Sequence, residues 1–228
     1  MKQKIIIARG IPWERIPIKT RLILKGDNLL EAIKEGLEEA HAALFPDDIL
    51  FVSEKAVGAS QGRYYLLDDG SLKPRRLAVL LSGFVTRTPA GIGLGMPETM
   101  ECALRECGTT RILFAAFMGT LGKLFGRKGD FYRIAGSRAR SIDGPTKGTI
   151  PPFNRAVSLA PENPDDVSRS ISERFMCKAA VVDVNDLGGN ILGAYPPELD
   201  RDLLIEILSD NPLGQGTEST PVGIIRKA

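Results

Sequence analysis

Residues 181–193 read VVDVNDLGGNILG. The stretch opens as a buried strand does, on β-branched apolar residues. It then sets three oxygen-bearing side chains, Asp183, Asn185 and Asp186, ahead of Gly188-Gly189. A two-residue period puts Asp183 and Asn185 on one face and Asp186 on the other, so the three need not act together. A turn with Asx capping and a polar site at a strand end are both consistent with it.

Working outward, KIIIARGI, the IPIKTRLIL region, DILFVS, then RLAVLLSGFV and RILFAAF, and later GDFYRIAG and the closing VGIIRK read as strands. Apolar positions at helical spacing (Leu29, Ile33, Leu37, Ala40, Leu44) predict a helix over 29–44. Pro97 and Glu98 mark the first turn of another helix after GIGLG. Further helices are expected over about 165–176 and 198–208. Helices and strands mix without regular βαβ alternation, so the expected class is α+β, with mixed or antiparallel sheets, packed helices and two lobes. The whole chain, 1–228, reads as one domain. The Pro/Gly-rich stretch 144–164 is either a lobe boundary or an ordered loop lining a site.

Of the 228 residues, 43% are hydrophobic and 25% charged, which is globular usage. No apolar run approaches the ~20 residues of a membrane span, and Arg9-Gly10 end the first apolar run too early for a signal peptide. The expectation is a cytoplasmic protein with no membrane and no nucleic-acid partner. Cys102, Cys107 and Cys177 have neither disulfide-framework nor metal-knuckle spacing. His41, the single histidine, reads as a helix-surface residue. GIGLG does not directly follow a strand as a dinucleotide fingerprint does, and GTLGK lacks the spacing of a P-loop.

What remains is oxygen chemistry beside glycines. SIDGPTKGT around Asp143, VDVNDLGG around Asp183–Asp186 and DNPLGQGTESTP around Gln215 and Glu218 offer carboxylates and amides next to strands. Hard cations such as Mg²⁺ or Mn²⁺ take such ligands and share them with phosphates. Lys123, Arg127, Lys128, Arg133, Arg138 and Arg140 concentrate positive charge in one stretch. That stretch reads either as a solvated face or as a wall for a phosphate-bearing ligand.

In this order, RIPIKTRLILKGDNL, DDILFVSEKAVGASQGR, SIDGPT, SLAPENPDD, VVDVNDLGG and DNPLGQGTESTP resemble the coenzyme F420-0:γ-glutamyl ligase family. The resemblance implies a GTP- (or ATP-) and metal-dependent ligase that adds L-glutamate to F420-0 and works as a homodimer. By matched position it implies Asp143, Asn185, Asp186 and Gln215 as metal-side residues, with Asp143 and Asp186 catalytic and Gly188-Gly189 as a gap where phosphate approaches. It also implies nucleotide contacts at Thr20, Arg21, Leu22, Ile23, Thr146, Leu213, Gly214, Gly216, Thr217 and Glu218. Lys55 lies near the place of an expected nucleotide-side lysine. Arg127, Lys128 and Arg133 are the candidates for the substrate's phosphodiester or carboxylates. The family's Asp-Thr pair is here Asn185-Asp186, and the arginine that follows a glycine there is missing. These departures keep open a ligase with another acceptor, and a nucleotide- and metal-binding homologue that does no ligation.

Overall fold

A computed structural model describes residues 4–85, 93–127, 129–146, 148–185, 188–214 and 219–228, with backbone alone at Asn185. The chain divides into two compact units. The first comprises Met1–Arg63 and Pro161–Ala228, and the second is Tyr64–Ala160.

The first unit is built on a six-stranded sheet of order β1-β2-β8-β3-β6-β7. Its strands are β1 (Ile5–Ala8), β2 (Ile11–Ile18), β3 (Ile49–Ser53), β6 (Lys178–Asn185), β7 (Gly188–Tyr195) and β8 (Val222–Lys227). Only β3 and β6 pair in parallel; every other neighbouring pair is antiparallel. The sheet is therefore mixed, and with its helices it gives the expected α+β class. Alternation sorts the strand residues. Phe51, Ala180, Val182 and Ile225 face Leu204 and Ile207 of α9 (Arg201–Ile207). Leu50, Val52, Ala179, Val181 and Ile224 point the other way and are equally buried. That second face meets α8 (Pro164–Phe175). Gly193, paired with Val181, lies so close to the Pro164 backbone that a Cβ there has no room. Asp165 in the first turn of α8 fixes the same junction, accepting from Ala194 N (3.1 Å) and from Arg201 (2.9 Å).

α1 (Leu29–Glu39) begins where Asn28 accepts from the amides of Leu30 and Glu31 (3.0 and 3.3 Å), and it buries Ala32, Ile33, Gly36 and Leu37. It ends short of the expected Leu44. His41 takes a positive φ of 48°, and Asp48 accepts from Phe45 N (2.8 Å), closing a turn where the apolar spacing pointed to helix. Strand structure in the IPIKTRLIL region likewise stops at Ile18.

The second unit carries its own core, in which Leu94, Met100, Leu104, Ile112, Ile142 and Val157 are buried together. It consists of α3 (Arg76–Ser82), α4 (Pro97–Glu106), α5 (Thr109–Leu124), α6 (Asp130–Ala135) and α7 (Ser137–Arg140) with a small sheet of β4 (Tyr64–Leu66) and β5 (Ala156–Ser158). Three sequence expectations are corrected here. RLAVLLSGFV and RILFAAF form α3 and part of α5, and GDFYRIAG forms α6 rather than a strand. In α5 the buried positions are Ile112, Ala115, Gly119 and Gly122, at helical spacing but mostly small. Apart from Ile112, most of the bulky apolar residues of that helix face outward, so hydropathy masked the period.

Candidate active site

Strand register collects several expected site segments at one edge of the first unit's sheet. Ser53 pairs with Val182, while Val222 pairs with both Val52 and Ile18. The carboxyl ends of β2, β3 and β6 therefore share an edge with the start of β8. Past that edge run Thr20–Ile23 after β2, Lys55 in α2 (Glu54–Ser60) after β3, Asp183–Asn185 at the end of β6, and the segment entering β8. The carboxyl end of parallel strands is where open sheets place ligands.

Hydrogen bonds tie these segments together. Thr20 N donates to Ser219 O (3.0 Å) and Ser219 Oγ donates to Thr20 O (2.9 Å). Ser53 N donates to Pro221 O (2.8 Å), and Thr220 Oγ1 donates to Leu213 O (2.6 Å). The last bond closes the base of the DNPLGQGTESTP loop. Asn211 stiffens its first limb: buried and at φ 50°, it accepts from Gly214 N (3.2 Å) through its backbone and donates from Nδ2 to Gly214 O (3.2 Å). Beneath the loop, the fully buried Arg15 guanidinium donates to Ile207 O (3.0 Å) and pairs with Asp210. Gln215, Gly216, Thr217 and Glu218 lie outside the described residues, as do Asp186 and the Asn185 side chain.

Two expectations at this edge change character. Gly188-Gly189 are strand residues of β7, paired with Asn185 and Val184, and so continue the sheet instead of opening a gap. Arg21 is committed to protein carboxylates: it pairs with Asp27 and Glu35, each at 2.9 Å, and hydrogen bonding to Asp27 foremost raises its pKa. Thr20 and Ile23 are buried, Leu22 half-buried and Lys55 exposed. Sequence reasoning passed over Glu54, a buried carboxyl beside Lys55, and Ser53, which caps α2 by accepting from Ala56 N (3.3 Å). Its signal, Ser-Glu after an apolar strand, is that of an ordinary helix start.

In the second unit, Asp143 is half-buried and exchanges both backbone hydrogen bonds with Ser158 (3.0 and 2.9 Å), which extends the β4–β5 sheet. Thr146 is exposed, its hydroxyl 3.3 Å from Gly144 O. Arg127 and Arg133 converge on one carboxylate, Asp130, at 3.3 and 3.1 Å. Gly122 makes that cluster possible, since a Cβ there would collide with Asp130. Two guanidiniums on one carboxylate leave a local excess of positive charge. Lys128 and Lys147 lie outside the described residues.

The proposed metal donors Asp143, Asn185, Asp186 and Gln215 are all oxygen ligands, the chemistry that Mg²⁺ or Mn²⁺ prefers. Among the described residues, no group of three or more His, Cys, Asp or Glu gathers as a metal site. Cys177 is excluded as a reactive thiol at neutral pH, because burial pushes it up to about 11.

Taken together, the mixed sheet and its packed helices define an α+β protein with a polar edge beside its one parallel pair. The F420-0:Gamma-glutamyl ligase family matches residues 17–192, well over half of the chain, and the chain belongs to that family. A protein of Methanocaldococcus jannaschii, described as uncharacterized, is 34% identical over 64 residues, 28% of this chain and 21% of that protein. The match thus spans about a fifth of that relative's length. The family match ends before the Leu213–Thr220 loop, which enters the candidate site through the sheet register and the resemblance alone.

Proposed function

We propose that this protein is a γ-glutamyl ligase of F420 biosynthesis, joining L-glutamate to F420-0 or a related phosphate-bearing carboxylate with GTP or ATP. The observation that carries the reading is the family match over residues 17–192, with the matched segments after β2, β3 and β6 at one sheet edge. An acceptor carboxylate oxygen attacks the γ-phosphorus and the nucleoside diphosphate leaves. The glutamate amine then attacks the acyl phosphate carbon, phosphate departs, and the amine proton passes to solvent.

In this reading the amides of Gly214 and Gly216 cradle phosphate, with Thr20–Ile23, Lys55, Leu213, Thr217 and Glu218 around the nucleotide. Asp143, Asn185, Asp186 and Gln215 are the oxygen donors that would hold the metal, and Thr146 is a nucleotide contact. A bound Mg²⁺ or Mn²⁺ supplies charge neutralisation at the phosphates. Arg127, Lys128 and Arg133 bind the acceptor's anionic groups. A cytoplasmic homodimer is part of the same reading.

The test is incubation of purified protein with F420-0, L-glutamate, Mn²⁺ and GTP or ATP. The expected result is glutamate-dependent diphosphate release with a product heavier by one glutamyl residue. The Asn185-Asp186 departure and the missing arginine favour a second reading, ligation to a different acceptor. Glutamate-dependent turnover with another carboxylate, and none with F420-0, would establish it; nucleotide binding without turnover under any acceptor would defeat both. Asp186→Asn and Asp143→Asn are each expected to lower kcat by about tenfold to a hundredfold, since even outer groups at metal sites carry such effects. Unchanged kcat and unchanged Mn²⁺ affinity would remove the residue concerned from the metal set.

A further inference from the structure

We propose that the α5 face of the second unit is a docking surface for an anionic lipid bilayer, on which the protein lies peripherally. Six bulky apolar residues are exposed there: Leu113, Phe114, Phe117, Leu121, Leu124 and Phe125, with Phe117 at 65%, Phe125 at 76% and Leu124 at 79%. At 3.6 residues per turn the other helical members lie within about 60° of Phe117, forming one stripe. The three phenylalanines alone expose roughly 400 Å² at about 200 Å² per ring, and the leucines carry the total beyond the ~300–600 Å² patch of a typical monomer.

The charge around the stripe selects the occupant. Arg111 and Lys123 stand about 120° to either side of Phe117, bracketing the apolar face with cations. Arg111 is held in place by donating to Ile134 O (2.8 Å), and Lys123 is exposed. Between Glu106 and Asp130 the sequence contains no acidic residue to offset Arg111 and Lys123. Residues 64–160 as a whole carry fourteen Lys/Arg against seven Asp/Glu, a net +7, whereas the remaining residues carry sixteen against twenty-one, a net −5. An apolar stripe of Phe and Leu with a cationic margin is the pattern of a helix lying in a bilayer interface, its aromatics below the headgroups and its cations among them. A second copy fits less well, because pairing α5 with its twin sets like charges together with no acid on the helix to meet them. Among the described residues no helix is long and apolar enough to cross a membrane, so the chain lies on the bilayer. This proposal does not depend on the ligase reading.

The experiment is flotation of the full-length protein with vesicles of phosphatidylcholine alone or with about one lipid in three replaced by phosphatidylglycerol. Co-flotation is expected with the anionic vesicles only, falling as salt is raised. Phe117→Ser with Phe125→Ser is expected to cut partitioning by about tenfold or more, given the apolar area removed. Circular dichroism of the variant establishes that it is folded, and the wild-type lipid and salt dependence stands without any variant. Absence of co-flotation overturns the proposal. So does a dimer, seen by light scattering, that dissociates in the double variant while neither protein floats.

Discussion

At the scale of single residues, fit and burial set what this protein tolerates. Gly193 is glycine because the start of α8 passes directly over it; Gly193→Ala forces the Pro164 backbone away and is expected to cost about 1–3 kcal/mol, visible as a lower melting temperature. Alanine at Gly122 should be milder in stability but should displace Asp130, freeing Arg127 and Arg133. Cys177, raised to about 11 by burial, should react with a thiol reagent at neutral pH only on the timescale of unfolding. Rapid labelling of Cys177 in the native state would contradict the packing around it.

At the scale of elements, the second unit hangs on a buried carboxylate. Glu101 of α4 bonds Arg75 Nε (3.0 Å) and N (3.1 Å) and Arg105 Nε (2.9 Å). Burial opposes its charged form, yet the two guanidiniums outweigh burial and hold the carboxyl below its ordinary 4.5. A depressed native value means that Glu101 contributes its full stability above about pH 4.5 and loses it as pH falls toward the lowered value. Glu101→Gln is therefore expected to destabilise the second unit at pH 7 and to flatten its acid sensitivity, as measured by denaturant midpoints across pH. The same unit was the least legible in sequence. β3, β6, β8 and α8 announce themselves through β-branched runs or a Pro-Asp-Asp start. α5 instead turns mostly small residues inward and most of its large ones outward, which hides its helical period, while α6 is short and half-buries Phe131, Tyr132 and Ile134 against the core. At the candidate site, the DNPLGQGTESTP turn and the polar end of β6 were visible as composition. That they share a sheet edge follows from β8 pairing with both β2 and β3, a long-range register that local spacing does not encode.

At the scale of the whole molecule, two hydrophobic clusters are each confined to one unit. Such a chain is expected to depart from two-state unfolding. Leu104→Ala should lower the transition of the second unit by about 2–5 kcal/mol, and Leu204→Ala that of the first, followed by near-UV circular dichroism in urea. A single transition shifted equally by both would join the units thermodynamically. The placement of β8 has a further consequence for synthesis on the ribosome. It is a central strand of the first unit, yet it comprises residues 222–227, so β2 and β3 are joined only when β8 emerges, some 170 residues after β3. The second unit, Tyr64–Ala160, is contiguous and can condense while the nascent sheet is still open. Birth order thus runs from the inserted unit to the enclosing one, and the polar edge at β2, β3 and β6 takes shape only after residues 222–227 have been made.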